Sequence, residues 1–140
     1  MAQAPRWFLP VAIIALLWNL MGCAAYLSDA MLSAADIAKM SADERLLYET
    51  RPAWSIAGTA LAVWLGALGC LALIVRKGWA VPLFWLSLIG VVVQDVWLFG
   101  MAPKSDMING MVMGLQGLVV AVAIALIWLA RKAKASGWIG

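Results

Sequence analysis

Four long apolar runs leave this chain little choice of architecture. They extend over Trp7–Leu27, Trp54–Val75, Trp79–Gly100 and Ile108–Ala130. A helix rises about 1.5 Å per residue, so runs of about 21–23 residues each reach roughly 30 Å, the thickness of a bilayer's hydrocarbon core. Asp95 is the one formally charged residue inside them. With 66% hydrophobic residues and a mean hydropathy of +0.96, the 140-residue chain carries far more apolar surface than a water-soluble domain of this size can bury. The expected fold is all-α: an integral membrane bundle of four spans running up-down-up-down. It forms a single transmembrane domain with one longer loop over residues 28–53. That loop leaves no room for a separate soluble domain.

The net charge of +3 reads as topology. Arg6, Arg76, Lys77, Arg131, Lys132 and Lys134 flank the runs on one side. Asp29, Asp36, Asp43, Glu44, Glu49 and Asp106 fall on the other, with Lys39, Arg45, Arg51 and Lys104. By the positive-inside rule both termini and the 76–78 turn are cytoplasmic. The basic clusters are too short for a nucleic-acid footprint, although they suit anionic lipid headgroups.

Histidine is absent. The commonest general base, the usual haem ligand and most zinc sites are therefore missing. No clustered acids, metal-ligand spacing or phosphate loop stands in for them, so a non-enzymatic protein without a cofactor is expected. Cys23 and Cys70 fall near opposite ends of the first two spans, too far apart for a disulfide, and read as small apolar residues. The segment Leu20-Met21-Gly22-Cys23 imitates a lipoprotein cleavage box. However, Met before the glycine is unusual, Trp18 and Asn19 interrupt the apolar region, and the run is long enough to span. It reads as the first helix of the bundle, not as a signal peptide.

In the 28–53 loop, Ser33-Ala-Ala-Asp36 and Ser41-Ala-Asp-Glu44 each have capping-box spacing: a serine accepts a backbone N–H and an acid three residues on reaches back. Short amphipathic helices are expected there, lying over the mouth of the bundle. Pro52 suits the first turn of the second span. Trp7-x-x-Pro10 and Trp79-x-x-Pro82 echo one another, as do Arg76-Lys77 and Arg131-Lys132. Shared orientation explains this more simply than duplication does.

Lipid tails are as apolar as leucine, so close backbone approach at small residues must hold such helices together. Small residues recur at Gly58, Ala62, Gly66 and Cys70 in the second span, and at Gly110, Gly114, Gly117, Ala121 and Ala125 in the fourth. Ala12, Ala15, Gly22 and Cys23 share a side of the first. These stripes should face other helices, of the same chain or of a neighbouring copy. Trp7, Trp54, Trp79 and Trp138 fall at expected membrane interfaces; Trp18, Trp64, Trp85 and Trp97 lie deeper and either fill lipid-facing volume or line a site.

Asn19, Thr59, Gln94, Asp95 and Gln116 recur at similar depth, roughly 8–12 Å below the outer boundary, and Asn109 lies above Gln116. Asn19, Thr59, Gln94 and Gln116 share their sides with small residues, which turns them toward the bundle interior. The expectation is a polar pocket in the outer half, capped by the 28–51 loop, with Trp97 nearby and a dry inner half. A carboxylate in hydrocarbon is costly unless a donor or cation stabilises it. Asn19 and Gln116 are candidate donors to Asp95, and Arg51 or Lys104 candidate counter-ions.

Two functions compete. The first is a small membrane module: an accessory subunit, or a binder of a lipid or apolar small molecule in that pocket. The second is an oligomeric transporter in which Asp95 couples protons or binds a cation. Asp95 lies far from the midplane position that alternating access favours. Expected partners are membrane lipids and either further copies of the chain or a larger membrane complex.

The segments Arg6-Trp7 to Trp18-Asn19-Leu-Met-Gly22, Tyr48-Glu49 to Pro52-Ala-Trp54, Leu83 to Ser87-Leu88 and Ala130-Arg-Lys to Gly137-Trp138 resemble a group of small four-span bacterial proteins of unassigned function, sometimes labelled sugar transporters. The resemblance covers nearly the whole chain. It implies a bacterial inner-membrane protein and carries no catalytic motif.

Overall fold

The computed structural model describes residues 3–101 and 110–140. All regular structure among them is helical. Four helices are long and apolar enough to cross a membrane: Phe8–Ala30, Ala53–Ile74, Ala80–Met101 and Gly110–Ala135. The chain is thus a multi-pass membrane protein built as a helical bundle. Their bounds track the hydropathy, with two differences. The first helix runs on to Ala30, and the fourth continues through Arg131, Lys132 and Lys134 to Ala135. Charged side chains end the apolar run without ending the helix, because a helix can project beyond the hydrocarbon into the headgroup layer.

The first span packs on the second, the second on the third, and the third on the fourth. The second and third approach most closely, at glycines. A Cβ on Gly90 would collide with the Gly58 carbonyl oxygen and lie 2.7 Å from the Ala62 nitrogen, and one on Gly58 would lie 2.8 Å from Val93 Cγ1. By contrast a Cβ on Gly110, Gly114 or Gly117 of the fourth span would meet nothing within 4 Å among the described residues. The small-residue stripe of the second span therefore works inside the bundle, whereas that of the fourth faces outward.

Both termini and the turn at 75–79 gather at one end, here the terminal end. The second span stops there with Arg76 in the left-handed region (φ 63°). Lys77 N–H donates to Ala72 O and Arg76 N–H to Leu73 O. The fourth span ends the same way with Gly137 (φ 77°), Trp138 N–H reaching Ala133 O and Gly137 N–H reaching Lys134 O. Both are Schellman closures, which satisfy carbonyls that a helix end leaves orphaned. The second closure turns residues 138–140 back over the bundle. Gly140 N–H donates to Arg76 O, and Gly78 N–H to Gly140 O. Trp138 lies edge-on to Phe8 and Trp7, as a plug between helix ends and not as a loose interfacial anchor. Phe8, Leu73, Phe84, Leu129, Ala130 and Ile139 form the dry core beneath it.

At the opposite end, the loop end, two short helices follow the first span, Ala34–Ala38 and Ala42–Thr50. Ser33 and Asp36 form a complete capping box. Ser41 accepts from Glu44 N–H, but the reciprocal bond is absent; Ser41 is a plain N-cap. The expected turn at 102–106, Lys104 and Asn109 lie outside the described residues.

Candidate functional site

Because the helices pack in sequence, the first and fourth spans face each other across a gap. A cavity of about 270 Å³ occupies it. Trp18, Asn19, Met21 and Gly22 form one wall, and Leu115, Gln116, Val119, Val122 and Ala123 the other. Ala62, Val63, Phe84, Ser87, Val91 and Gln94 lie behind. Four side chains in this lining are polar: Asn19, Ser87, Gln94 and Gln116. Three of them belong to the set expected at one depth; all three line this cavity, Gln94 and Gln116 in contact with each other and Asn19 deeper, against Cys70.

Each polar group is held by a specific local feature. Asn19 Nδ2 donates to Ala15 O at 2.9 Å, one helical turn back, and to Cys70 Sγ at 3.5 Å. Its carboxamide rests on Gly66, where a Cβ would collide with Asn19 Oδ1. Glycine at 66 is therefore what admits an amide to the interior. Ser87 Oγ donates to Ala62 O at 2.6 Å, and Cys23 Sγ to Val63 O at 3.3 Å. Both acceptors lie in a π-helical turn, Leu61–Leu65. Such turns loosen the backbone ladder, so carbonyls can accept side-chain donors, and they occur frequently at functional sites. Sequence reasoning missed this turn, since Leu-Ala-Val-Trp-Leu contains no Pro or Gly to signal it. Ser87, buried within the same lining, is likewise absent from the polar positions that the sequence singles out.

A hydrogen-bonded chain crosses the bundle at this level. Thr59 Oγ1 donates to Gln94 Oε1 at 2.6 Å, and Gln94 Nε2 donates to Gln116 Oε1 at 3.3 Å. Thr59 also approaches Ser55 O at 3.2 Å. Gln116 Nε2 has no partner among the described residues, which leaves a donor at the cavity wall. Inside a low-dielectric bundle such a donor favours a ligand oxygen.

Thr59 itself lines a second cavity, about 300 Å³, with Tyr26, Asp29, Tyr48, Glu49, Arg51 and Ile56. The 28–51 loop covers this second cavity and contributes nothing to the lining of the first, so the expectation that it caps the amide pocket is corrected. Arg51 contacts Asp29 at 3.6 Å and lies over the Tyr48 ring, 5.9 Å from its centroid. It therefore serves the loop and is not the counter-ion of Asp95.

Asp95 and Trp97 line neither cavity. Successive helix residues point about 100° apart, so Gln94 and Asp95 cannot both face the cleft. Asn19 and Gln116 are not donors to Asp95 either; their amides serve Ala15, Cys70 and Gln94. Asp95 Oδ1 is buried without a hydrogen-bond partner among the described residues. Trp97 is buried in the π-helical turn that ends the third span.

Outside the spans, the Ser33 backbone N–H and hydroxyl hold the Asp36 carboxyl below its ordinary value. No group of three or more His, Cys, Asp or Glu suited to a metal ion occurs among the described residues. Compared with protein-family profiles, curated proteins and solved structures, the chain matches none of them.

Proposed function

We propose that this protein is a non-enzymatic membrane module of the bacterial inner membrane that binds a lipid chain or small apolar molecule in the cleft between its first and fourth spans. The observation that carries the reading is the composition of that cleft: an apolar lining with four polar side chains, Asn19, Ser87, Gln94 and Gln116, spread along it. Its volume sits at the lower edge of the roughly 300–1,000 Å³ common for small-molecule sites, so the occupant is one acyl segment or one compact ligand. An alcohol, ester or carbonyl oxygen on that occupant would accept from Gln116 Nε2. By charge bias the terminal end lies in the cytoplasm and the amide level toward the outside. The outward-facing Gly110, Gly114 and Gly117 suit close contact with a further helix, and hence a homo-oligomer or a place in a larger complex.

The test is quenching of tryptophan fluorescence by a brominated medium-chain alcohol, with the protein in phosphatidylcholine vesicles. Trp18 lines the cleft and reports occupancy. Saturable quenching is expected, weakened severalfold by Gln116→Leu and abolished by the cleft-filling Ala123→Trp. Linear, unsaturable quenching in all three proteins would show simple partition into the bilayer and overturn the reading.

A second reading is a small proton- or cation-coupled transporter. Asp95 Oδ1, buried without a partner among the described residues, is what favours it. Uptake into vesicles driven by a pH gradient, lost in Asp95→Asn while the helical circular dichroism is retained, would support it over the module.

A further inference from the structure

A separate groove runs along the outer face of the third and fourth spans at the terminal end, with a volume of about 660 Å³. It shares no lining residue with the cleft. Its length is apolar, formed by Trp85, Leu88, Ile124 and Trp128, and Arg131 and Lys132 stand at its mouth. Lys134 continues the basic rim into a shallower hollow that Arg131 also lines. Lys132 Nζ lies 4.9 Å from the centre of the Trp128 ring, which draws the cation over the groove.

Charge complementarity identifies the occupant. Among the described residues every Asp and Glu lies in the loop-end half, so Arg131, Lys132 and Lys134 have no Asp or Glu partner there. All three are exposed. Arginine and lysine at the end of a transmembrane helix meet phosphate at headgroup depth, and each strengthens attachment to an anionic surface about fivefold. An apolar groove continuous with that basic rim supplies a bed for acyl chain. We infer that this groove is a binding site for one anionic phospholipid, with its phosphate between Arg131 and Lys132 and a chain along Trp85 and Trp128. Basic clefts between transmembrane helices recognise such headgroups in general; the rings add stacking area and a polar N–H at the interface.

The experiment reconstitutes the full chain in phosphatidylcholine vesicles containing a small fraction of chain-brominated lipid. Quenching by brominated phosphatidylglycerol is compared with quenching by brominated phosphatidylcholine at the same mole fraction. On the order of thirtyfold enrichment of the anionic lipid is expected from two such charges, about fivefold for each. The double variant Arg131→Gln/Lys132→Gln should lower it to about onefold, and high salt should weaken it in the wild type. Trp85→Phe/Trp128→Phe should remove most of the excess quenching while leaving the fold intact. The control Arg6→Gln/Lys77→Gln removes two charges from the same end outside the groove and should retain the enrichment. Equal loss in that control would mean a diffuse surface attraction and overturn the site. Displacement of the lipid by millimolar glycerol phosphate would mean that the headgroup alone is the ligand and would overturn the assignment of a phospholipid. Equal quenching by both lipids in the wild type would overturn the inference entirely.

Discussion

The two ends of this bundle use the same kinds of helix to opposite purposes. At the terminal end Phe8, Leu73, Phe84 and Ile139 are almost fully buried, and residues 138–140 close over them. At the loop end the first and fourth spans stand apart, and amides take the place of aromatic rings. Leu115 in the cleft wall is 52% exposed and Phe84, which also reaches the cleft floor, 1%. Hydropathy does not separate these halves, since all four spans are comparably apolar. What separates them is which small residues let backbones meet and where polar groups hold a gap.

The sharpest way to break that contrast is to force the second and third spans apart. In Gly90→Ala the added methyl meets backbone on the facing helix, which cannot rotate away as a side chain can. A loss of about 3 kcal/mol is expected, the upper end of the roughly 1–3 kcal/mol typical of overpacking. Gly114→Ala places the same methyl in open space and should leave the isolated chain within ~0.5 kcal/mol of wild type. Unfolding in mixed micelles followed by circular dichroism measures both. If Gly114→Ala weakens self-association at unchanged monomer stability, the outward stripe contacts a second copy.

Next in size is the difference between the packed floor and the open wall. Phe84→Ala deletes a ring that fits against Gly69, where a Cβ would lie 2.6 Å from Phe84 Cε1. Acyl chains replace water as the reference, so the loss should be about 2 kcal/mol, less than the roughly 3–5 kcal/mol of water-soluble cores. Leu115→Ala should cost under ~0.5 kcal/mol, because that side chain has few partners to lose. The same micelle assay compares them, and equal losses would erase the distinction between the two halves.

These contrasts also mark what the sequence could and could not convey. Span number and approximate length follow from apolar run length, because the hydrocarbon thickness is fixed. The depth that Gln94 and Gln116 share follows from rise per residue, and the two do meet; Asn19 lines the same cavity but lies deeper, bonded to Cys70. Facing direction is much less legible. In water an apolar stripe must turn inward, but in lipid both sides of a helix are apolar, so the glycines of the second and fourth spans look alike and end up on opposite sides of the protein surface. Asp95 attracts attention by its charge, yet its neighbour Gln94 faces the cleft. The π-helical turn at Leu61–Leu65 and the folded-back Trp138 depend on tertiary contacts that no local pattern encodes.

The hydrogen-bonded chain joining Thr59, Gln94 and Gln116 is expected to contribute less than packing does. Interhelical side-chain bonds in membranes average about 0.6 kcal/mol and reach roughly 1.7 kcal/mol. Thr59→Val and Gln94→Leu should each cost about 1 kcal/mol, and the double variant less than their sum by about 0.5 kcal/mol, the coupling between them. An additive cycle would mean that the 2.6 Å contact holds no energy and that the amide level is open for reasons of shape alone.

The smallest expected effect is electrostatic and confined to the loop end. Asp36 accepts from the Ser33 backbone N–H at 3.1 Å, while its own N–H donates to the Ser33 hydroxyl at 3.1 Å. The first bond is stronger to the carboxylate than to the neutral acid, and this is why the Asp36 carboxyl lies below its ordinary value of 3.8. A group depressed in the folded state adds stability that is complete above the ordinary value and lost as the pH falls through the lower one. Acidification should therefore loosen the turn at residues 33–38, read as a shift of the Ser33 amide resonance in micelles with a midpoint below 3.8. The Ser41 cap rests on a hydroxyl accepting from Glu44 N–H, and a hydroxyl does not titrate in that range, so that contact should persist. Asp36→Asn should remove the acid transition at Ser33 and leave the terminal end, with its dry core and basic rim, unchanged. A transition at both serines would mean that the loop melts as one unit and that the capping box does not act on its own.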